Sequence, residues 1–177
     1  MKSVFFLTVI SSILISCSVR KNDAEKTVNE QEKEFVQECP NGGDCSIKYL
    51  ANKSIKINKD NTNKIYYSLV DDSEKSVVRF EFKKNNPSGI AEANYIEEIV
   101  LEVENSEKEI NLSDEFLEKA KVLFGKHCYC KGQAGVYLIQ TGNLKMKQDK
   151  EKILIELKFD MNPITHEVST IKYLLKK

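Results

Sequence analysis

Five residues of this chain could hold a soft metal ion or exchange electrons: Cys39, Cys45, His127, Cys128 and Cys130. Thiolates and imidazoles are the ligands that copper(I) and zinc favour, and His127-Cys128-Tyr129-Cys130 puts one imidazole and two thiols within four residues. The spacing argues the other way. Paired zinc-binding cysteines have at least two residues between them, whereas Cys128 and Cys130 have one. In an oxidising compartment four such cysteines read as a disulfide set. Structural disulfides with no cofactor are therefore expected, and copper or zinc held by all five residues is the alternative.

The four cysteines allow three pairings. The local one joins Cys39 to Cys45 and Cys128 to Cys130; the other two connect the two halves. Cysteines one residue apart sit near the upper Cα separation for a disulfide if the segment is extended, so a Cys128 to Cys130 bond requires a bend. Closing a loop of about 90 residues would stabilise by roughly 4.5 kcal/mol in the chain-entropy model, against about 2.4 kcal/mol for seven residues. These arguments favour crossed pairing.

Other side chains offer less. His127 and Cys128 would point to opposite faces of a strand, so a Cys/His nucleophile is disfavoured. His166, beside Pro163 and Glu167, reads as a loop histidine. The acidic pairs Asp71-Asp72 and Glu97-Glu98 read as solvated surface. The asparagine-rich stretch 58–63 lacks the glycine and terminal glutamate of a calcium loop and reads as a turn. Gly125, Gly132, Gly135 and Gly142 have no phosphate-loop spacing. Residues 130–135, Cys-Lys-Gly-Gln-Ala-Gly, are the place to look for an unusual surface. No catalytic set emerges, which points to a noncatalytic module.

The elements that must position these residues are mainly strands. Ile153, Ile155, Leu157 and Phe159 alternate with Leu154, Glu156, Lys158 and Asp160; Leu144 and Met146 alternate with lysines. Val78, Phe80 and Phe82 repeat the pattern, as do Ile99, Leu101 and Val103. Weaker strands fall at 47–57, 65–69 and 136–140, and 168–175 is read as strand for its branched and aromatic residues. Asn85 to Gly89 and Gln148 to Glu151 read as turns, and Thr141-Gly142-Asn143 as a hairpin. One short helix is expected at about 113–124, capped by Ser113 or Asp114, with Phe116, Ala120, Leu123 and Phe124 on one face. The fold class is mainly β: an antiparallel β-sandwich or open barrel with that helix packed on it.

The 177 residues have room for one domain plus a targeting segment. Basic and acidic residues balance at 27 each, which offers no electrostatic footprint for nucleic acid. At the N-terminus, Lys2 precedes an apolar stretch at 4–15 that is shorter than the about 20 residues a bilayer crossing takes. Small Ser16 and then Cys17 follow, so 1–16 reads as a signal peptide.

Leu14-Ile15-Ser16-Cys17 resembles the lipobox of bacterial lipoproteins. The resemblance covers residues 1–17 only. It implies cleavage before Cys17, lipidation of that cysteine, and residence in the bacterial cell envelope. Several acyl chains at about 0.8 kcal/mol per buried methylene make stable anchoring expected. Ser18, where an Asp would signal inner-membrane retention, implies the outer membrane. Residues 17–38 are polar and charged and read as a tether spanning about 25 Å, which leaves 39–177 as a single β-rich domain. The expected partners are the membrane, through lipid, and an envelope protein, peptide or glycan.

Overall fold

A computed structural model describes residues 39–177. Cys17, the signal segment and the tether lie outside the described residues. The described chain forms nine strands, all antiparallel, in two sheets.

Two long strands, β1 (Gly43–Lys59) and β2 (Ile65–Lys84), pair from end to end except at an irregularity where Asn52 and residues 72–75 are skipped. The weak candidates at 47–57 and 65–69 are parts of this hairpin, and the polar run Asp71 to Lys75 lies inside β2 rather than between strands. The turn at 60–64 is built by Asp60, whose Oδ1 accepts from Thr62 N, Thr62 Oγ1 and Lys64 N at 2.7–2.9 Å. The larger sheet continues through β3 (Tyr95–Glu104), β5 (Leu123–Cys128) and β6 (Gly135–Leu138), in the order β1-β2-β3-β5-β6. The start of β2 also meets β6, Ile65 opposite Val136, so this sheet curls back on itself. The smaller sheet has the order β4-β7-β8-β9, from β4 (Glu109–Ser113), β7 (Thr141–Gln148), β8 (Lys152–Asp160) and β9 (Thr170–Lys176).

The two sheets pack face to face around one main core, a β-sandwich-like arrangement. Val78, Phe80, Phe82, Ile99, Leu101 and Val103 come from the larger sheet, and Leu144, Met146, Ile153, Ile155, Leu157 and Ile171 from the smaller. These are the alternating positions read from sequence, because strand neighbours face opposite sides.

A second core lies on the other face of the larger sheet. The register of β1 shifts between Ala51 and Lys53, where Asn52 takes a left-handed φ of 57°. The distal part of the hairpin brings Ile55, Ile57, Tyr67 and Leu69 against Val77, Val100, Leu123 and Val136. The middle of β3 is therefore covered on both faces.

Three expectations are corrected. The helix is a single 3-10 element, Asp114–Ala120, and Leu123 and Phe124 begin β5 instead. Leu117 and Ala120 are its buried residues while Phe116 is exposed; Ser113 makes no side-chain cap, and Lys121 in the left-handed region ends the helix. Thr141-Gly142-Asn143 is no hairpin turn but the start of β7, where the chain passes from one sheet to the other. Gly142 fits there because a Cβ would lie 2.3 Å from Lys158 O. Thirdly, the cysteines pair locally, Cys39 with Cys45 and Cys128 with Cys130, rather than crosswise. Gly42, with φ 81°, turns the chain between the first two, and a bend at Tyr129 brings the Cα atoms of the second pair to 5.2 Å. The extended segment assumed for that pair is absent.

Candidate functional site

Beside β6 lies a groove of about 740 Å³, a size suited to a ligand. Ala134, Val136 and Leu138 line one side, and 160–164, including Met161, Pro163 and Ile164, line the other. Asn63 to Ile65 close one end, and Gln140 and Thr141 supply polar groups.

The groove exposes main chain. Ile139 N donates to Val122 O at 3.0 Å, and the β5/β6 register places Leu138 opposite Leu123. Hydrogen-bonding direction alternates along an antiparallel strand, so the N–H and C=O of Val136 and Leu138 point away from β5. Val136 meets Ile65, the first residue of β2. The position that would face Leu138 is Asn63, which has a left-handed φ of 62° and belongs to the turn. Among the described residues, no strand pairs with β6 beyond Val136 on this side.

Both walls are tied to the sheet by buried polar groups. Lys126 Nζ donates to Gln133 Oε1 at 2.8 Å and to Thr165 O and Oγ1 at 2.6 and 2.9 Å. Thr165 Oγ1 also donates to Gln133 Oε1 at 2.6 Å, and Tyr137 OH donates to Gln133 O at 2.9 Å. Glu97 accepts from Glu167 N at 2.7 Å, Val168 N at 2.8 Å and the Tyr95 hydroxyl. Burial first, then that hydrogen bond to Glu97, pushes the Tyr95 phenol up. His166 is a loop residue as expected, but its ring stacks on Phe159 at 5.6 Å and meets the edge of Phe124 at 6.0 Å.

The acidic pair Glu97-Glu98 is not solvated surface: both residues are buried. Glu98 points to the opposite face, at the open end of the second core. Its Oε1 pairs with Arg79 Nε, and its Oε2 lies 3.6 Å from His127 Nε2. Gly125 makes room, since a Cβ there would be 3.0 Å from His127 Nε2. Burial disfavours the Glu98 anion, but the nearby His127 imidazole, the Arg79 charge and Tyr67 outweigh it and hold the carboxyl below its ordinary value. Burial and the Glu98 charge push the Tyr67 phenol up. A third buried acid, Glu102, accepts from Ser54 Oγ, Ile55 N, Lys75 Nζ and Lys121 Nζ, each at 2.8 Å.

His127 thus faces Glu98 and not Cys128, in keeping with the alternation of β5. Its side chain is half exposed. With Cys39, Cys45, Cys128 and Cys130 in two separate disulfides, the five soft-ligand candidates are not gathered into one set. No three His, Cys, Asp or Glu side chains converge in a metal-holding cluster among the described residues. Of the tyrosines, Tyr66 and Tyr129 are exposed, while Tyr137 is partly buried behind the groove. Within residues 130–135, Gly132, Ala134 and Gly135 line the groove, whereas Gly125 and Gly142 do not. Its other wall escaped sequence reasoning, although Asn162-Pro163 marked a turn there.

The class defined by these observations is a two-sheet antiparallel β-domain with a main-chain edge open to a groove. No family model matches the chain, and no curated protein or solved structure matches it.

Proposed function

We propose that this chain is a bacterial envelope lipoprotein, lipid-anchored through Cys17 and resident in the outer membrane, whose β-domain is a noncatalytic binding module for an extended peptide. The anchor rests on Leu14-Ile15-Ser16-Cys17 after an apolar segment. The binding role rests on one observation: the unpaired edge of β6 at Leu138, facing the groove. A peptide laid there continues the line of β2, takes main-chain hydrogen bonds from Leu138, and sets alternate side chains between Val136 and the wall at 160–164. Envelope proteins with extended segments are the corresponding partners.

Two measurements test this. Intact mass spectrometry of protein extracted from bacterial membranes should show a chain beginning at Cys17 and carrying acyl groups; Cys17→Ser should release it to the aqueous phase. A panel of extended peptides, with glycans in parallel, is then titrated against the soluble domain. Ala134→Trp fills the groove from an exposed position and should weaken peptide binding at least about tenfold, a loss of about 1.4 kcal/mol. Binding only to glycans, or peptide binding indifferent to Ala134→Trp, overturns the peptide reading.

A further inference from the structure

Cys128 and Cys130 close a loop with one intervening residue, Tyr129, whose side chain is 86% exposed. Cys39 and Cys45 enclose five residues and pack against the main core, whereas Cys128 and Cys130 belong to neither apolar cluster. The smaller loop gains less from chain entropy, and no apolar cluster packs around its sulfurs to oppose thiol exchange. All four cysteines are partly buried, so the two disulfides differ in loop size and in packing against an apolar cluster.

The loop that follows is organised around Cys130. Gln133 N and Ala134 N donate to Cys130 O at 3.2 and 3.3 Å. Gln133 is in turn the residue that joins Lys126, Thr165 and Tyr137. Ala134 lines one side of the groove, and Thr165 follows its opposite wall. One covalent bond thus fixes the residue through which both walls are coupled.

We infer that Cys128–Cys130 is a thiol–disulfide exchange site, opened by a dithiol reductant, and that its redox state sets the order of the groove walls. One thiolate of the dithiol attacks a sulfur of the pair, forming a mixed disulfide and releasing the other cysteine as a thiolate, which takes up a proton. The second thiol of the reductant then resolves the mixed disulfide. The pair gains two electrons and two protons as two thiols, and the dithiol becomes its own disulfide. That the walls hold a peptide rests on the function proposed above; the exchange site does not.

The test titrates the folded domain with dithiothreitol, traps thiols with iodoacetamide, and maps them by peptide mass spectrometry. Cys128–Cys130 should open at a reductant concentration at least tenfold below that needed for Cys39–Cys45. Hydrogen exchange at 131–138 and 163–168 should then rise several-fold while β8 is unchanged. A double variant, Cys128→Ser with Cys130→Ser, should show the raised exchange without reductant and no further response to mild reduction. Simultaneous opening of both disulfides, or unaltered exchange once Cys128–Cys130 is open, overturns the inference. Peptide binding that survives reduction unchanged also overturns the coupling and leaves the peptide reading intact. Raised exchange with no peptide bound in either state supports the exchange site and sinks the peptide reading alone.

Discussion

Glu97 and Glu98 are consecutive, both are buried, and their carboxylates serve opposite faces of the larger sheet. Glu97 receives Glu167 N and Val168 N on the side of the main core, and Glu98 meets Arg79 and His127 at the end of the second core. The pair thus fastens a loop on one face and an ionic cluster on the other from a single point of β3.

The Glu97 contact predicts a local loss of order. Glu97→Ala leaves the amides of Glu167 and Val168 without their acceptor, at a cost of roughly 2–4 kcal/mol. Urea unfolding should show the lower midpoint, and the amides of 167 and 168 should exchange much faster than those of β8. Normal protection of both amides in a folded variant would show that Glu97 does not hold the loop.

Glu102 predicts an acid limb in the stability profile. Burial alone would raise its pKa, but Lys121 and Lys75, with Ile55 N and Ser54 Oγ, bring it from 4.5 down to about 2. A depressed carboxyl contributes its full stability above the unfolded value, and loses it as pH falls from about 4.5 towards about 2. Glu102→Gln should cost about 3 kcal/mol near neutrality, because two lysines lose their buried carboxylate, Lys75 keeping Glu104 and Lys121 keeping Ile55 O. It should also flatten the decline between those pH values, read by urea midpoints at successive pH. An unchanged slope would reject the assignment.

Gly142→Ala should destabilise by roughly 2–4 kcal/mol. At this position φ is 153°, and the added Cβ would meet Lys158 O at 2.3 Å and Phe159 Cα at 2.9 Å. These are main-chain or main-chain-bound atoms, so β7 and β8 must separate locally. Gly132→Ala, with a left-handed φ of 75° but open space, should cost less than Gly142→Ala. Thermal unfolding of the two variants checks the order.

The main core was legible because each of its strands keeps one apolar face, as in Ile153 to Phe159 of β8. What was misread lies where a polar residue does not face water. Glu98 and Glu102 fall on the outward side of β3, and only the fold-back at Asn52 covers that side. No local pattern announces such a cover. Likewise, β5 was hidden because Leu123 and Phe124 face different cores, which in sequence resembles the end of a helix. Gly142 signalled a special backbone, but a glycine cannot say whether the chain reverses within a sheet or leaves for another. The groove edge was beyond reach, since it depends on where β2 begins opposite β6. The region around Cys130 was singled out from its glycines, and that much was visible.

The passage between sheets at Gly142 has a consequence for synthesis. All five strands of the larger sheet lie before it, whereas three of the four strands of the smaller sheet lie after it. A nascent chain that has emerged as far as Leu138 can form the larger sheet but has only β4 and the short helix to cover Phe80, Phe82, Ile99 and Leu101. Such a half-built sandwich presents a sticky surface to other chains. Early termination anywhere before β9 therefore yields an aggregating fragment rather than a smaller working domain, and about the last fifth of the message decides whether the rest stays in solution.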